Sequence, residues 1–462
     1  MDYSGRGMMQ KKTCTLLYNP ISGHGHLDSW LNIFSNILIE RGHYVLFLTP
    51  DHTSLVKHLE QKGLTESDTF QILDWSITLP RSSIHAWQCF WIRYINEMPC
   101  TFAAANASWP ERFKKWAIRS IFRIIRTTRN IAFKFMEHTK TFKITRQSDA
   151  YLLSPSEMAF RIQQSVKKAH HKPDFVLVMY MDMFKDHPSQ WTISGQQMSI
   201  PWAGIRFSPR ALAKGEQAEG HYADPQLRGM CFLDTKATSD YQKKFPAKIF
   251  QRIPDITNAS LPTAEPELVQ KLRARASGRR IVILGGSLDT RKNISGYYKL
   301  ATLADPHEWF FALVGRTYPD TFTDADRQAL QELKKMEEIN TMLHLDYLED
   351  ERDFNAMISA SDIIFAVYKD FPYSSNMLSK AAWFKRPIIV SDRYHMGKDV
   401  LRYGIGRVTD ENNPTLWLEA LKSLRTKVIP DEAYSRYKDV YSEKALGDAL
   451  ENFINKCRRS SR

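Results

Sequence analysis

The stretch that decides the fold is residues 280–293, R-I-V-I-L-G-G-S-L-D-T-R-K-N. Its aliphatic start, residues 281–284, is typical of a strand buried in a parallel sheet. The strand ends at the glycine pair 285–286, where the backbone can turn tightly and come close to a ligand. A basic pair, 291–292, follows just before a predicted helix. The pattern indicates either a diphosphate-binding turn or an ordinary strand-to-helix turn followed by solvated basic residues.

The rest of the second half repeats this alternation of strands and helices. Further buried strands are predicted at 309–315, 342–346, 362–367 and 387–391, and helices at 324–336, 351–361, 414–424 and 431–457. Asn413 is the predicted cap of the helix that begins with Pro414. This order of elements predicts a doubly wound parallel sheet.

The first half opens with a βαβ unit. A strand at 11–19 leads into a loop with two glycines and two histidines, then a helix that ends at Gly42 and a second strand at 43–50. Ligands are expected at this loop, because it lies at the carboxyl end of the first strand. A helix at 159–172 and strands at 173–182, 200–208 and 229–234 continue the alternation.

The length and composition indicate a globular protein with two domains. The 462 residues suffice for two cores, and 43% apolar with 25% charged residues is not the composition of a disordered chain. No apolar run approaches the roughly 20 residues of a membrane-spanning helix, and the N-terminus lacks the apolar segment of a secretion signal. We therefore expect a cytoplasmic protein.

The five cysteines are scattered, without a C-x-x-C pair or a histidine at ligand spacing. This arrangement favours reduced thiols over a disulfide framework, and it does not indicate a structural zinc site. The sequence therefore predicts neither a bound metal nor a bound cofactor.

The charge is strongly basic and unevenly distributed. The 64 basic and 51 acidic residues give a net charge of +13, which favours an anionic partner. Between Arg112 and Arg146 there are eleven basic residues and one acidic residue, Glu137, interleaved with aromatic and aliphatic residues. We interpret residues 80–147 as a basic helical insert that either lies on an anionic membrane or covers the sheet with a solvated face. No recognition motif accompanies the charge, so nucleic acid is not an expected partner.

The N-terminal motif P-x-x-G-H, followed by a helix and R-G-H-x-V-x-x-x-T-P, resembles the opening of GT-B fold glycosyltransferases that use nucleotide sugars. In the inverting branch of that superfamily a histidine in this loop is the general base for the acceptor hydroxyl. The resemblance assigns that role to His26, just before the helix, with His24 as the alternative. Neutral imidazole suits proton transfer near pH 7. The other interpretation is that both histidines only cap the helix or line the loop.

The block G-G-S-L-D-T-R-K-N resembles the donor-binding loop of retaining family 4 glycosyltransferases. In that family an arginine after the second glycine and a lysine further on neutralise the diphosphate of the donor. Gly285 and Gly286 match the turn and Lys292 matches the lysine, whereas Ser287 stands at the arginine position and Arg291 is expected to supply the missing charge. Cationic side chains and backbone N–H groups would stabilise the departing diphosphate.

A second block, residues 367–392, departs from the same family. The family has two glutamates eight residues apart, the first near the sugar and the second on the ribose. Alignment on Pro387 places Pro372 and Lys380 at these positions, so both carboxylates are absent. The ribose contact and the donor nucleotide therefore stay undetermined.

Ser374, Ser375 and Asn376 open a helix at the family's position. The free N–H groups and positive dipole end of a helix N-terminus favour an anion, so we expect the diphosphate between this helix start and Lys292. An ordinary N-cap is the alternative. Tyr347 and Leu348 stand where the family receives the nucleotide base, so one of them is expected to stack on it.

The resemblance covers almost the whole chain and implies two Rossmann-like, doubly wound α/β domains that face each other across a cleft. Residues 1–256 are expected to bind the acceptor and to carry the basic insert at about 80–147. Residues 268–440 are expected to bind the nucleotide sugar, after a proline-punctuated boundary. Residues 441–462 are expected to form a helix that crosses back to the first domain.

The implied function is a glycosyltransferase that moves a sugar from a nucleotide-diphosphate sugar to a hydroxyl acceptor without a metal. Retention is favoured over inversion because the C-terminal half matches better. The acceptor candidates are a glycan, a small molecule and a lipid-linked precursor, and the last would place the protein on the inner face of a membrane. The alternatives are a nucleotide-sugar 2-epimerase, which needs more carboxylates near the donor, and a non-catalytic sugar-nucleotide or membrane-binding protein.

Overall fold

A computed structural model describes residues 13–21, 26–66, 69–75, 77–79, 142–144, 155–184, 198–209 and 220–459. Within these residues the chain forms two parallel sheets, of seven and six strands, with helices packed on them. The predicted α/β class with two doubly wound sheets is therefore confirmed.

The first sheet has the strand order β3-β2-β1-β6-β7-β8-β9. Its strands are β1 (Cys14–Tyr18), β2 (Tyr44–Leu48), β3 (Phe70–Ile72), β6 (Phe175–Val178), β7 (Trp202–Arg206), β8 (Leu227–Phe232) and β9 (Ile249–Arg252). The central strands β1, β2, β6 and β7 are buried along their whole length, as expected for a parallel sheet covered on both faces. The strand order reverses between β1 and β6, so the loop after β1 lies at a topological switch point.

The described part of the first domain has four α-helices. They are α1 (His26–Glu40), α2 (Thr53–Gln61), α3 (Pro155–Val166) and α4 (Thr235–Lys244). The helix predicted at 159–172 begins earlier, at Pro155, and ends at Val166, and the helix at 53–61 was not predicted. Gly42 follows α1 with a φ of 81°, in the left-handed region that favours glycine. Asp234 caps α4 by accepting a hydrogen bond from the Ala237 N–H.

The predicted basic insert, residues 80–147, lies outside the described residues except for 142–144. Those three residues form β5 (Phe142–Ile144), which pairs antiparallel with β4 (Ile77–Leu79). The expectation that the insert is helical up to residue 147 is therefore wrong at this end. The pairing brings the two ends of the insert together at one place beside the first domain.

The second sheet has the order β12-β11-β10-β13-β14-β15, and all its pairs are parallel. Its strands are β10 (Arg280–Gly285), β11 (Trp309–Val314), β12 (Thr341–His344), β13 (Ile363–Ala366), β14 (Ile388–Ser391) and β15 (Gly406–Thr409). The order reverses between β10 and β13, so the predicted glycine turn lies at the switch point of this sheet.

The helices of the second domain begin at polar caps or prolines, with one exception. They are α5 (Glu267–Ala276), α6 (Ile294–Leu303), α7 (Asp324–Lys335), α8 (Glu351–Ala360), α9 (Asn376–Trp383), α10 (His395–Tyr403), α11 (Pro414–Thr426) and α12 (Asp431–Val440). The exception is α10, which follows Tyr394 without a side-chain cap. Thr323 and Asp326 form a capping box at α7, and Asn413 caps α11 as predicted.

The predicted helix at 431–457 is two helices, because the chain bends at Tyr441. The Tyr441 ring stacks on Tyr437 with centroids 4.3 Å apart, and its hydroxyl donates to Asp399. The last helix, α13 (Glu443–Arg459), then packs on the first domain, where Phe453 is fully buried. Its Asp448 forms an ion pair of 2.6 Å with Arg41, which lies just after α1.

Asp255 lies in the segment between the two sheets and carries a buried carboxyl group. Burial raises the pKa of this carboxyl to about 6, against the nearby Ser374 hydroxyl and the charge of Arg252, which lower it, while the charge of Asp399 adds to the rise. The folded protein therefore holds this proton at a pH where the unfolded chain, with a pKa near 3.8, has released it.

We expect Asp255→Asn to flatten the pH dependence of stability. Between about pH 4 and 6 the native state binds more protons at this site, so its free energy of unfolding falls as the pH rises. Asparagine cannot titrate, so the variant lacks this contribution. Urea unfolding from pH 4.5 to 7.5 measures it, with the exposed Asp320→Asn as control. Parallel curves for wild type and Asp255→Asn would contradict the prediction.

Candidate donor-binding site

Two glycines with positive φ meet at the carboxyl edge of the second sheet. Gly286, after β10, has a φ of 100°, and Gly315, after β11, has a φ of 137°. A Cβ atom on Gly315 would lie 1.9 Å from the carbonyl oxygen of Gly286, so only glycine fits there. A Cβ atom on Gly285 would lie 2.8 Å from the Phe354 ring. The two glycines thus expose backbone in the turn after β10, as the sequence predicted, and Ser287 follows them as an exposed residue.

After the glycine turn, the chain stays hydrogen-bonded to the segment that follows β11 before it enters α6. Leu288 continues the parallel pairing as a bridge to Thr317. Asp289 then caps the 3₁₀ turn Thr290–Lys292, and Asn293 in the left-handed region caps α6 through Gly296 N–H. These local hydrogen bonds fix where the basic pair points.

Arg291 is paired within its own loop. Its Nε lies 3.0 and 2.9 Å from the two carboxylate oxygens of Asp289, and this hydrogen-bonded carboxylate raises the pKa of the guanidinium. The sequence predicted that the Arg291 charge would bind the diphosphate, but in the structure Asp289, two residues earlier, balances that charge. About half of the Arg291 side chain is exposed.

Lys292 is the buried cation of the site. The residue is 9% exposed, and its Nζ donates to the carbonyl oxygen of Gly285 at 3.1 Å and to Tyr368 Oη at 2.7 Å. Among the described residues no carboxylate lies within ion-pair distance of this ammonium group. Nζ is 3.5 Å from the point where a Cβ on Gly286 would lie. The Lys292 ammonium group therefore lies directly beside the backbone of the glycine turn.

The start of α9 reaches the same edge of the sheet through the loop after β13. That loop carries Tyr368, the partner of Lys292. Ser375 caps the helix by accepting from the Met377 N–H at 3.4 Å, and Asn376 is the first helical residue. The Ser374 hydroxyl oxygen is buried and has no hydrogen-bond partner among the described residues. The diphosphate role of this helix start stays a prediction.

The two positions of the family's glutamates have different surroundings. Pro372 is exposed in the loop before α9, whereas Lys380 is 1% exposed and forms a 2.8 Å ion pair with Glu351. Burial lowers the pKa of the lysine, while Glu351 opposes that shift. Lys380 therefore belongs to the interior of the second domain.

The predicted base-binding residues follow β12, next to the glycine turn. The carbonyl oxygen of His344 accepts from the Gly315 N–H at 2.8 Å, which joins the two strand ends. Tyr347 is 42% exposed, and Leu348 is half-buried against the core. The Nε2 of His344 is buried and has no hydrogen-bond partner within the described part of the chain. This makes His344 a further candidate for contact with a base.

Arg316 is a candidate that sequence reasoning missed. It follows Gly315 directly, is exposed and lies over the Tyr318 ring at 5.6 Å, and its carbonyl oxygen accepts from the Leu288 N–H at 2.8 Å. No described carboxylate lies within ion-pair distance of its guanidinium. The signal was present, since an arginine immediately after a buried strand and its glycine lies at the ligand-binding edge.

The histidine loop of the first domain is only partly described. His26 is the first residue of α1, and its side chain lies outside the described part, as does the whole of His24. Their predicted role as general base stays a prediction. Three residues further on, Ser29 donates a hydrogen bond to Glu351 of the second domain. The first turn of α1 therefore contacts the second domain directly.

The carboxyl edge of the first sheet carries a second group that the sequence did not reveal. Tyr180, after β6, has a φ of 52° and stacks on Phe207 with centroids 5.0 Å apart. Asp182 accepts from the N–H groups of Phe207 and Ser208 at 2.8 Å each, and burial raises the pKa of its carboxyl. Positive φ at a non-glycine residue is often found at functional sites.

Two further kinds of feature concern the described part of the chain, a metal-ligand cluster and a membrane-spanning helix. There, no three His, Cys, Asp or Glu side chains cluster in a way that could hold a metal ion. Likewise, no described helix is both long and apolar enough to cross a bilayer.

Comparison with known proteins supports the fold. No family model matches the chain, and no curated protein matches its sequence. Sucrose-phosphate synthase from Thermosynechococcus elongatus matches with a TM-score of 0.55 and 11% identity, over 96% of this chain and 99% of that one. Anabaena HepE in complex with UDP and glucose matches with 0.56 and 11%, over the same shares. WaaG, a glycosyltransferase involved in lipopolysaccharide biosynthesis, matches with 0.51 and 12%, over 96% and 99%.

These matches extend over both sheets and nearly the full length of each chain. With the two facing parallel sheets, they show that this protein has the GT-B fold of glycosyltransferases. The fold expected from the N-terminal and C-terminal motifs is therefore confirmed, whereas membership of family 4 stays a prediction.

We expect Gly315→Ala to destabilise the protein by about 3 kcal/mol or more, because the added methyl group meets the Gly286 carbonyl and the backbone is left strained. Gly278→Ala is the matched control. Gly278 also has a positive φ, 81°, but nothing lies within 4 Å of its Cβ position, so only about 1–2 kcal/mol of backbone strain is expected. Urea denaturation measures both, and equal losses would contradict the close approach of the two strands' ends.

Proposed function

We propose that this protein is a glycosyltransferase that moves a sugar from a nucleotide-diphosphate sugar to a hydroxyl acceptor. The single observation that carries the proposal is the buried ammonium of Lys292 beneath the glycine turn at the switch point of the second sheet. Burying a cation without a carboxylate costs free energy, which a bound anion would offset. Its place at the ligand-binding edge of a doubly wound sheet favours a diphosphate.

The chemistry follows from the charge that develops in the reaction. As the bond between the anomeric carbon and the diphosphate oxygen breaks, negative charge grows on the leaving diphosphate. The Lys292 ammonium and the N–H groups at the start of α9 would stabilise that charge in place of a metal ion. Arg316 is a further cation at the same edge and replaces Arg291 as the second candidate, because Asp289 already balances Arg291.

The stereochemistry sets where the acceptor's proton goes. In the retaining reaction, which the resemblance of the glycine loop favours, the departing diphosphate accepts it as the acceptor oxygen bonds to the anomeric carbon. In the inverting reaction a base at His26 or His24 accepts it. The structures of HepE hold UDP and glucose or UDP-glucose, which supports a nucleotide-sugar donor here.

A second candidate is a non-catalytic sugar-nucleotide-binding protein of the same fold. The burial of Lys380 at the position of a family glutamate favours it, because no carboxylate from that position can reach a ligand. The two candidates differ in one result. A glycosyltransferase transfers or slowly hydrolyses the sugar of the donor that it binds, and does so in excess EDTA, whereas the second candidate only binds it.

We expect Lys292→Met to reduce stabilisation by the donor to about 1.4 kcal/mol or less. At about a hundred times its dissociation constant, a nucleoside diphosphate or its sugar should stabilise wild type by roughly 2.7 kcal/mol. Losing a charge-assisted hydrogen bond should weaken binding about 10- to 100-fold. Thermal unfolding with uridine, guanosine, cytidine and thymidine diphosphates measures this. Lys299→Met, on the exposed face of α6, should behave like wild type, and an equal ligand shift in both variants would refute the site.

The basic insert generates a separate prediction. We propose that the protein acts on a lipid-linked acceptor and that its basic insert binds the anionic membrane that carries this acceptor. Each basic residue near the membrane surface would contribute about 1 kcal/mol to binding. The protein should sediment with vesicles containing phosphatidylglycerol at low salt, and dissociate at high salt because ions screen the attraction. Neutral phosphatidylcholine vesicles are the control. Equal sedimentation with both kinds of vesicle, or none with either, would contradict membrane association.

A further inference from the structure

One hydrogen bond joins the first turn of α1 in the first domain to the second domain. The Ser29 hydroxyl donates to the carboxylate of Glu351, the first residue of α8. Both side chains are partly buried, and the residues are 322 positions apart in the sequence. The contact therefore depends on how the two domains are placed, and it lies beside the residue at which α1 begins, His26.

The other oxygen of the Glu351 carboxylate binds a buried lysine, Lys380. This oxygen, Oε1, accepts from Lys380 Nζ at 2.8 Å, and the Lys380 residue is 1% exposed. The same ammonium donates to Asn355 Oδ1 at 2.5 Å. The Asn355 amide donates in turn to the carbonyl oxygens of Asn258 and Ser260, at 3.0 and 2.9 Å, in the segment between the domains. The carboxylate thus has a fixed position.

Helix α8 also supports the glycine turn. The Phe354 ring lies so close to Gly285 that a Cβ atom there would be 2.8 Å from it. Glu351 and Phe354 are three residues apart and share one face of the helix. One helical turn therefore contacts both the candidate diphosphate loop and, through Ser29, the beginning of α1.

We infer that Glu351 and Lys380 are positioning residues, which hold the first turn of α1 at a set distance from the donor site. This inference rests on the proposed glycosyl transfer. The acceptor and the donor must meet within bonding distance, and misplacement by about 1 Å can cost about 100-fold in rate. The role explains why a lysine stands where the related family has a glutamate: its charge holds the Glu351 carboxylate in place.

The test is Ser29→Ala against Ser29→Thr. Alanine removes the hydroxyl that Glu351 accepts, so kcat for sugar transfer should fall about 10- to 100-fold while the Kd for the nucleoside diphosphate stays within twofold. Threonine keeps the hydroxyl and should retain most of the turnover. An unchanged kcat in Ser29→Ala, or equal losses in Ala and Thr, would overturn the inference. A purely stabilising role would lower Tm without separating kcat from Kd.

A second measurement does not depend on activity. In Ser29→Cys/Glu351→Cys, a short bifunctional maleimide should join the two thiols, because it spans the gap left by the shorter side chain at 351, and mass spectrometry should find residue 29 linked to residue 351. The single variants Ser29→Cys and Glu351→Cys are controls. Absence of the link overturns the inference alone. Absence of both donor binding and sugar transfer in wild type would overturn the proposed function, and this inference with it.

Discussion

The second domain depends on how the ammonium of Lys292 is accommodated in a buried position. Its hydrogen bonds go to a backbone carbonyl of β10 and to the hydroxyl of Tyr368, which follows β13, so it joins the two strands between which the sheet order reverses. Neither oxygen carries a charge. The site therefore keeps a positive potential at the edge where a doubly wound sheet binds its ligand.

The same edge is kept open by the absence of side chains. A Cβ atom on Gly315 would meet the carbonyl oxygen of Gly286, and Gly286 itself has a φ of 100°, which favours glycine. The backbone itself therefore forms the floor of the site. The cations around this site differ in whether a carboxylate lies within ion-pair distance. Arg291 is neutralised by Asp289, while Lys292 and Arg316 have no such carboxylate among the described residues. Buried charge and bare backbone together favour an anion with several oxygens.

The sequence predicted the central strands and many of the helices, because hydrophobic runs bounded by glycine, proline or a polar cap are local signals. It did not predict α2, α5 or α10. It missed β3, β9 and β15, which are three or four residues long, lie at the sheet edges and include polar side chains. The long C-terminal helix was predicted as continuous, because the serine cap of its second part was overlooked: Ser442 accepts from the Ala445 N–H at 3.2 Å. The bend before this cap depends on the stacking of Tyr441 on Tyr437 and on its contact with Asp399.

The sequence by itself determined the alternation of strands and helices and the glycine turn before Lys292, since each depends on residues near one another in the chain. Only the tertiary structure decided which charges remain for a ligand. It pairs Arg291 with Asp289, places Lys380 against Glu351 and brings Ser29 to that same carboxylate. A charged side chain can bind a ligand only if no opposite charge lies within a few ångströms of it. For Lys380 the neighbouring groups come from distant parts of the chain.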